Sequence, residues 1–459
     1  MLRPAKLSPS PRAAISIYRE HTMAKTEFQV LKGTRDFLPS QYIPRKRVIR
    51  TIEETFELFG FEPMETPALE YAETLREKYG EEGDRLMYTF TDRGGRNVAL
   101  RYDLTVPLAR TMAMYQVDKP FRRYQISPVW RADKPQKGRY REFWQCDVDI
   151  IGSREVWADA EILGVTYHAL NALGFKHFTM RINNRKLLNG IARYGGLADE
   201  AIAVFFRSID KADKIGWDGV RDELTAKEFS VSLIDKIFAL LKPEEGGKET
   251  LRRLKNTLHD SDDAREGIAE LEEIQRCLLG LDVPATHFTI DVSLVRGLDY
   301  YTGPIYETIV DEPKIGSISG GGRYDTLIGL FGGADTPATG GSLGLERIIT
   351  SMEELGMMTD TATVTQVLVT LFDQSSADAS MNVVAELRRS GVNAEVYIKN
   401  EKLKRQLAYA DRKGIPLVVI VGPEEVEHGT VVLRDMRSKA QLTLGRGVLT
   451  EKVRELLTV

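Results

Sequence analysis

Between residues 129 and 150 the chain reads VWRADKPQKGRYREFWQCDVDI, and its residue types divide into two groups. Arg131, Lys134, Lys137, Arg139 and Arg141 crowd into one short run, opposed there only by Asp133. Phe143, Gln145, Asp147 and Asp149 then take every second position, which puts side chains on one face of a strand. Arginines hold phosphate bidentately, and carboxylates hold cations or N–H donors. A ligand carrying both an amine and a phosphate fits this mixture, as do two ligands meeting there. A solvated sheet face laced with salt bridges has the same alternation, and these residues alone leave both readings open.

Other chemistries fit poorly. The chain has no GxxxxGK[ST] loop and no convincing GxGxxG, so the common phosphate cradles are excluded. No histidine lies in or near the polar segments, which argues against a Ser-His-Asp arrangement. Two cysteines, Cys146 and Cys277, support neither a disulfide framework nor a cysteine zinc cluster, and the six histidines lack close metal-ligand spacing. A net charge of −4 advertises no polyanion partner globally, so nucleic-acid contact has to come from local patches such as the run above.

These residues need elements to position them. QISPVWR (125–131) and FWQCDVDI (143–150) alternate as strands, joined by ADKPQKGRYRE into a long hairpin with a basic tip. ALRYDLT (99–105) alternates too, so Arg101, Asp103 and Thr105 are expected to join Arg131 on the same polar face. Such a charged face cannot pack on an apolar core without a large desolvation cost. Trp144, Cys146, Val148 and Ile150 supply the core side instead. From residue 45, Val48, Ile52, Phe56 and Phe59 recur at helical spacing before Gly60, predicting a helix that stops there.

Farther along, residues 183–285 are highly charged with helical periodicity and read as a helical insertion. From 286 to 360 the chain is rich in glycine and aromatics. VLVTLF and LVVIVG, separated by helical stretches, predict a small α/β unit with a largely parallel sheet over 361–459. Its helix bears Lys399, Lys402, Lys404, Arg405, Arg412 and Lys413, a solvated face or an RNA contact. With 459 residues, 42% of them hydrophobic, the chain has the composition of a soluble globular protein of about three domains. No apolar run spans a bilayer. Residues 1–22 are basic and acid-free until Glu20, and Met23 offers a second start, so this segment is expected to be disordered or over-extended.

The motifs KGTRDFLP, DLTVPLAR, VWRADKPQKGRYREFWQCDVDIIG, LVRGLDYYTG, GGGRYD and GSLGLERI stand in the order found in the histidyl-tRNA synthetases, a class II aminoacyl-tRNA synthetase family. The chain resembles that family over about residues 28–459, and six motifs in register make the likeness specific. The resemblance implies an α+β fold: a class II antiparallel sheet flanked by helices, with catalytic parts at 23–182 and 286–360, and a C-terminal anticodon-binding domain. It implies a cytoplasmic homodimer built through the helix from residue 45 and the stretch to Pro67. It also implies ATP, L-histidine and tRNA(His) as substrates, and Mg2+ with ligands the sequence does not single out.

By position, Asp103, Leu104, Thr105 and Gln145 resemble the family's amino-acid site, with Tyr300 beside it. Asp149 and Tyr301 match the pair that reads the imidazole nitrogens. Arg131 and Arg296 match the arginines that grip the α-phosphate from opposite sides. Phe143 and Arg347 match the two sides of an adenine sandwich, and Lys134, Lys137, Arg139 and Arg141 the contacts to the tRNA acceptor end, where the family's extra 5′ guanosine is sensed. Asp at 103 and 149, where many bacterial relatives carry Glu, follows the eukaryotic and archaeal pattern, and Thr326 departs from the usual GGGRYDG. The competing reading is a histidine-binding regulatory subunit of ATP phosphoribosyltransferase. Such paralogues typically lack the C-terminal domain and lose the ATP-binding arginines, both present here.

Overall fold

The computed structural model describes residues 28–76, 78–241, 247–295, 300–332, 334–358 and 363–458. The N-terminal segment 1–22 lies outside them, as does Arg296.

An eight-stranded sheet carries the centre of the molecule, in the spatial order Glu62–Pro63, Phe121–Trp130, Glu142–Ile151, Ala338–Gly344, Ser317–Arg323, Pro304–Val310, Phe178–Asn184, Phe288–Ile290. Neighbours are antiparallel except at the two edges, where the short outer strands pair in parallel. The predicted hairpin is present and longer than its alternating core, with Val129 opposite Phe143, Ser127 opposite Gln145 and Arg123 opposite Asp149. Cys146, Val148 and Ile150 turn into the main hydrophobic core, against Ile52 and Phe56 of the helix Pro39–Leu58 and Ile162 of the helix Trp157–Ala172. Burying apolar surface on that side contributes about 25 cal/mol per Å2, which leaves the opposite face free to be polar.

The first helix begins at Pro39, earlier than the spacing from residue 45 marks, and ends before Gly60, whose φ of +73° suits glycine. Residues 99–105 do not form one strand. Pairing stops at Leu100, in a separate three-stranded sheet made with Leu69–Tyr71 and Thr89–Thr91. A helix starts at Thr105, because Val106, Leu108 and Ala109 bury together at helical spacing. Arg101 is therefore not on the polar face. It is buried, reaches the hairpin through Pro128 O (2.9 Å), and also donates to Thr66 O (2.5 Å) and Glu65 (2.9 Å) in the segment leading into the small sheet.

Helices from Arg185–Gly195 to Asp262–Gly280 form the charged middle of the chain. Their buried Phe205, Phe206, Ile237, Leu254 and Ile268 are continuous with the core under the large sheet. Beyond residue 363, a five-stranded sheet runs Ala394–Val396, Val367–Val369, Leu417–Ile420, Thr430–Asp435, Gln441–Gly445. Its first two pairings are parallel and the last two antiparallel, so the sheet is mixed and not largely parallel. Val367 and Val369 face one cluster and Leu368 the other, which explains the unbroken apolar runs.

Candidate active site

The polar face of the large sheet floors an open chamber of about 400 Å3. Phe143, Gln145, Asp147 and Asp149 line it from one strand, as their alternation requires. The neighbouring strand Ala338–Gly344 presents almost no side chain opposite Asp149. A Cβ on Gly340 would sit 1.9 Å from Asp149 Oδ1, so only glycine leaves room for that carboxyl.

Asp149 Oδ1 accepts from the Tyr324 hydroxyl at 2.5 Å, and Oδ2 lies 2.7 Å from Nη2 of the fully buried Arg123. That second contact is a charge pairing without hydrogen-bond alignment, since Asp149 Oδ2 and Arg123 Nε and Nη1 have no aligned partner. Asp103 enters from the loop before the helix Thr105–Met114. Its Oδ1 accepts from Tyr79 Oη (2.9 Å) and Val106 N (3.1 Å), whereas Oδ2 is buried without a partner. Gln145 Nε2 donates to Ser342 Oγ at 2.8 Å and leaves Oε1 buried and unpartnered.

Burial raises the carboxyls of Asp103, Asp147 and Asp149 above the ordinary range. For Asp103, the Val106 amide and Arg131 pull back; for Asp149, Arg123 and Tyr324 do. Asp147 is pushed up to about 7, first by burial and also by Asp149, against Arg123 and Ser342. With Arg123 serving Asp147 and Asp149, and Arg131 reaching Asp103, three buried carboxyls leave an excess of acceptors at this end.

The other end is basic. Arg131 donates through Nε to Tyr102 O (3.0 Å), and its guanidinium lies 4.2 Å from the Tyr102 ring centroid and 5.2 Å from that of Phe143. Arg347 donates to Ser317 O at 2.5 Å and lines the same wall as Phe143 and Arg139. A molecule that fills the chamber is cationic or donor-rich on the sheet side and anionic toward these arginines.

Comparison with known proteins follows that polarity. Residues 33–348 match the family model for histidyl-tRNA synthetase, and residues 366–456 match an anticodon binding domain. The chain belongs to the histidyl-tRNA synthetase family. It is 42% identical to a histidine–tRNA ligase of Gloeobacter violaceus over 90% of this chain and 96% of that one. Against the histidine–tRNA ligase of Aeropyrum pernix it is 43% identical, covering 93% and 98%. The crystal structure of histidyl-tRNA synthetase from Nostoc superposes with a TM-score of 0.83 at 31% identity, over 94% of this chain and all of that one. The chain is an aminoacyl-tRNA ligase, and the regulatory-subunit reading is the less supported one.

Within this chamber, Asp103, Thr105, Gln145, Asp149, Tyr300 and Tyr301 come together, with Arg131, Phe143 and Arg347 at the other end. Leu104 is not among the lining residues: its side chain is fully buried, and its carbonyl oxygen accepts from Arg123 at 3.3 Å. The basic loop is not a free cluster. Lys137 pairs with Glu354, Arg139 with Asp133 (3.1 Å), and Arg141 donates to Asp133 O and Lys32 O at 3.2 Å each. Lys134 is exposed.

Several members of the site escaped the sequence reading. Arg123 stands two residues before the start assigned to its strand, and extending the alternation through FRRYQISPVW places it opposite Asp149. Tyr324 sits inside GGGRYD. Its neighbour Arg323 is anchored behind the sheet by the buried Asp159. Glu346, beside Arg347, accepts from Arg45 Nη1 (2.8 Å) and Nη2 (2.7 Å), Arg35 (2.5 Å) and Trp144 N (3.2 Å). Burial opposes its ionisation, but those arginines hold its carboxyl below the usual range. Tyr79 gave no pattern at all, since it reaches Asp103 from an irregular segment.

Proposed function

We propose that the chamber binds L-histidine beside ATP, joins the amino acid's carboxylate to the α-phosphate with release of pyrophosphate, and then passes the histidyl group to the 3′ end of tRNA(His). The observation that carries this assignment is the pair of buried, unpartnered acceptors, Asp103 Oδ2 and Gln145 Oε1, in a chamber whose other end holds Arg131 and Arg347. In this reading Asp103, Thr105 and Gln145 take the α-ammonium group, and Asp149 and Tyr301 read the imidazole. Buried partners for both ring nitrogens strongly reject analogues that lack them.

Phe143 and Arg347 hold adenine between them, and Arg131 neutralises charge gathering on the α-phosphate. By its place in the RGLDYY motif, Arg296, outside the described residues, is assigned the opposite side of that phosphate. Catalysis is then positioning and electrostatic preorganisation, with no covalent enzyme intermediate. Among the described residues no three His, Cys, Asp or Glu side chains converge as metal ligands. Mg2+ arriving with ATP would be held chiefly by phosphate oxygens and water. Lys134, Lys137, Arg139 and Arg141 lie beside the acceptor end of tRNA(His), and the unit from about 361 reads its anticodon.

The working form is a cytoplasmic homodimer joined through the Pro39–Leu58 helix and the stretch to Pro67. Exposed Leu58, Leu69 and Tyr71 nearby supply apolar surface for such a contact. No described helix is long and apolar enough to cross a membrane.

ATP–pyrophosphate exchange with each amino acid tests the assignment: only histidine should support it, and its absence would favour a regulator. Arg296→Ala is expected to slow exchange by about a hundredfold or more while histidine affinity stays near wild type, because its partner is charge gained in the transition state. Equal losses in both would overturn that role.

A further inference from the structure

Among the polar contacts of the chamber, one set has a direction. Gln145 Nε2 donates to Ser342 Oγ at 2.8 Å and also approaches Asp147 Oδ1 at 3.5 Å. Ser342 lies directly across the strand pair from Asp147, and its hydroxyl favours the ionised form of that carboxyl. When Asp147 is ionised its carboxylate only accepts, so the Ser342 hydroxyl then points its proton at Asp147 and offers its lone pairs to Gln145. The amide nitrogen is thereby claimed, and Oε1 is turned away, buried and without a partner.

We propose that Ser342 and Asp147 are positioning residues that fix the polarity of the Gln145 amide, so that its carbonyl oxygen and not its NH2 meets the ammonium group of the bound amino acid. The proposal rests on the reading of Asp103 and Gln145 as ammonium ligands. The two ends of a carboxamide are almost the same size, so packing alone does not choose between them. A flipped amide would set two N–H groups against an ammonium, replacing an acceptor by a like dipole.

The relay also has a second state. A protonated Asp147 can donate to Ser342, whose proton then points at Gln145 and favours the flip. The groups facing Asp147 are Arg123 from the strand on one side, Ser342 from the strand on the other, Asp149 on its own strand, and Asp103 from the loop before the Thr105–Met114 helix. Arg123 favours the ionised form of Asp147, whereas Asp149 and Asp103 favour the protonated one.

The test measures dissociation constants of histidine and of imidazolepropionate, which keeps the ring and carboxylate but lacks the amine. Wild type, Ser342→Ala and Ser342→Thr are compared between pH 6 and pH 8.5. At pH 8, Ser342→Ala should weaken histidine by about tenfold, leave imidazolepropionate within about twofold, and be largely rescued by Ser342→Thr, which keeps the hydroxyl. The wild-type preference for histidine over the analogue should shrink toward pH 6 more than in Ser342→Ala. Equal weakening of both ligands, or none, overturns the relay. A wild type that does not prefer histidine over the analogue overturns the ammonium reading itself, and the relay with it.

Discussion

Asp147 stands at pH 7 near the midpoint of its own titration, since burial and the neighbouring Asp149 raise its carboxyl from the ordinary 3.8 to about 7. In the unfolded chain that proton is lost near pH 4, so between pH 4 and pH 7 the folded chain holds a proton the unfolded chain has released. Stability then falls as pH climbs through that window and levels off above it. Asp147→Asn removes the term. The variant should melt higher than wild type at pH 8, with a gap on the order of a few kcal/mol that narrows below pH 7 and closes by about pH 4. Thermal unfolding at those pH values decides it, and a gap independent of pH would show that Asp147 is not the group involved. The same variant should bind histidine worse, the ordinary exchange of stability against function at a binding site.

At the scale of elements, the segment 31–37, which opens with a turn at 31–34, is strapped over the basic loop. Arg141 N donates to Gly33 O at 2.8 Å, and Arg35 lies 3.4 Å from the Tyr140 ring centroid and pairs with Glu346. Gly33 has a φ of +92°, and a Cβ there would meet Arg141 Cγ at 2.8 Å and Pro135 Cγ at 2.9 Å. Gly33→Ala therefore has to lift the strap or push the loop, besides a left-handed backbone cost of about 1–2 kcal/mol. The expected outcome is a rise in KM for ATP and slower tRNA charging, by about tenfold each, with little loss of melting temperature because the strap is only half-buried and lies outside the hydrophobic cores. Unchanged steady-state kinetics would mean that the loop holds its shape unaided.

This strap was visible in the sequence only as a motif, with no periodicity to show where it docks. The polar strand was legible because alternation fixes its face whatever it pairs with. Asp103 reached the right neighbourhood through a wrong element: Asp-Leu-Thr alternates over too few residues to separate a strand end from the first turn of a helix. Arg123 and Tyr324 became site residues through register and sheet order, which one segment's pattern cannot supply. The mixed C-terminal sheet was missed for a related reason: a short strand buried on both faces looks alike whether its neighbour runs parallel or antiparallel.

For the whole molecule, the decisive fact is that the cores do not merge. The helices between 185 and 280 share their apolar interior with the large sheet, whereas the unit beyond 363 packs on two clusters of its own. A domain with its own core can fold alone. A chain ending at residue 358 should therefore retain histidine-dependent pyrophosphate exchange within about threefold, yet charge tRNA at least about a hundredfold more slowly. If exchange collapses as well, the two parts depend on each other for folding.

Asp149 stands on the large sheet and Asp103 in the loop that leaves the small one, and the two are held in step by Arg101 and by the bond from Trp130 N to Arg101 O (3.1 Å). One small ligand that touches both acids spans the seam between them, as a bar fits a calliper. The gap between the jaws, and with it the length of side chain accepted, is then set by how the minor sheet is seated and by no single residue inside the chamber.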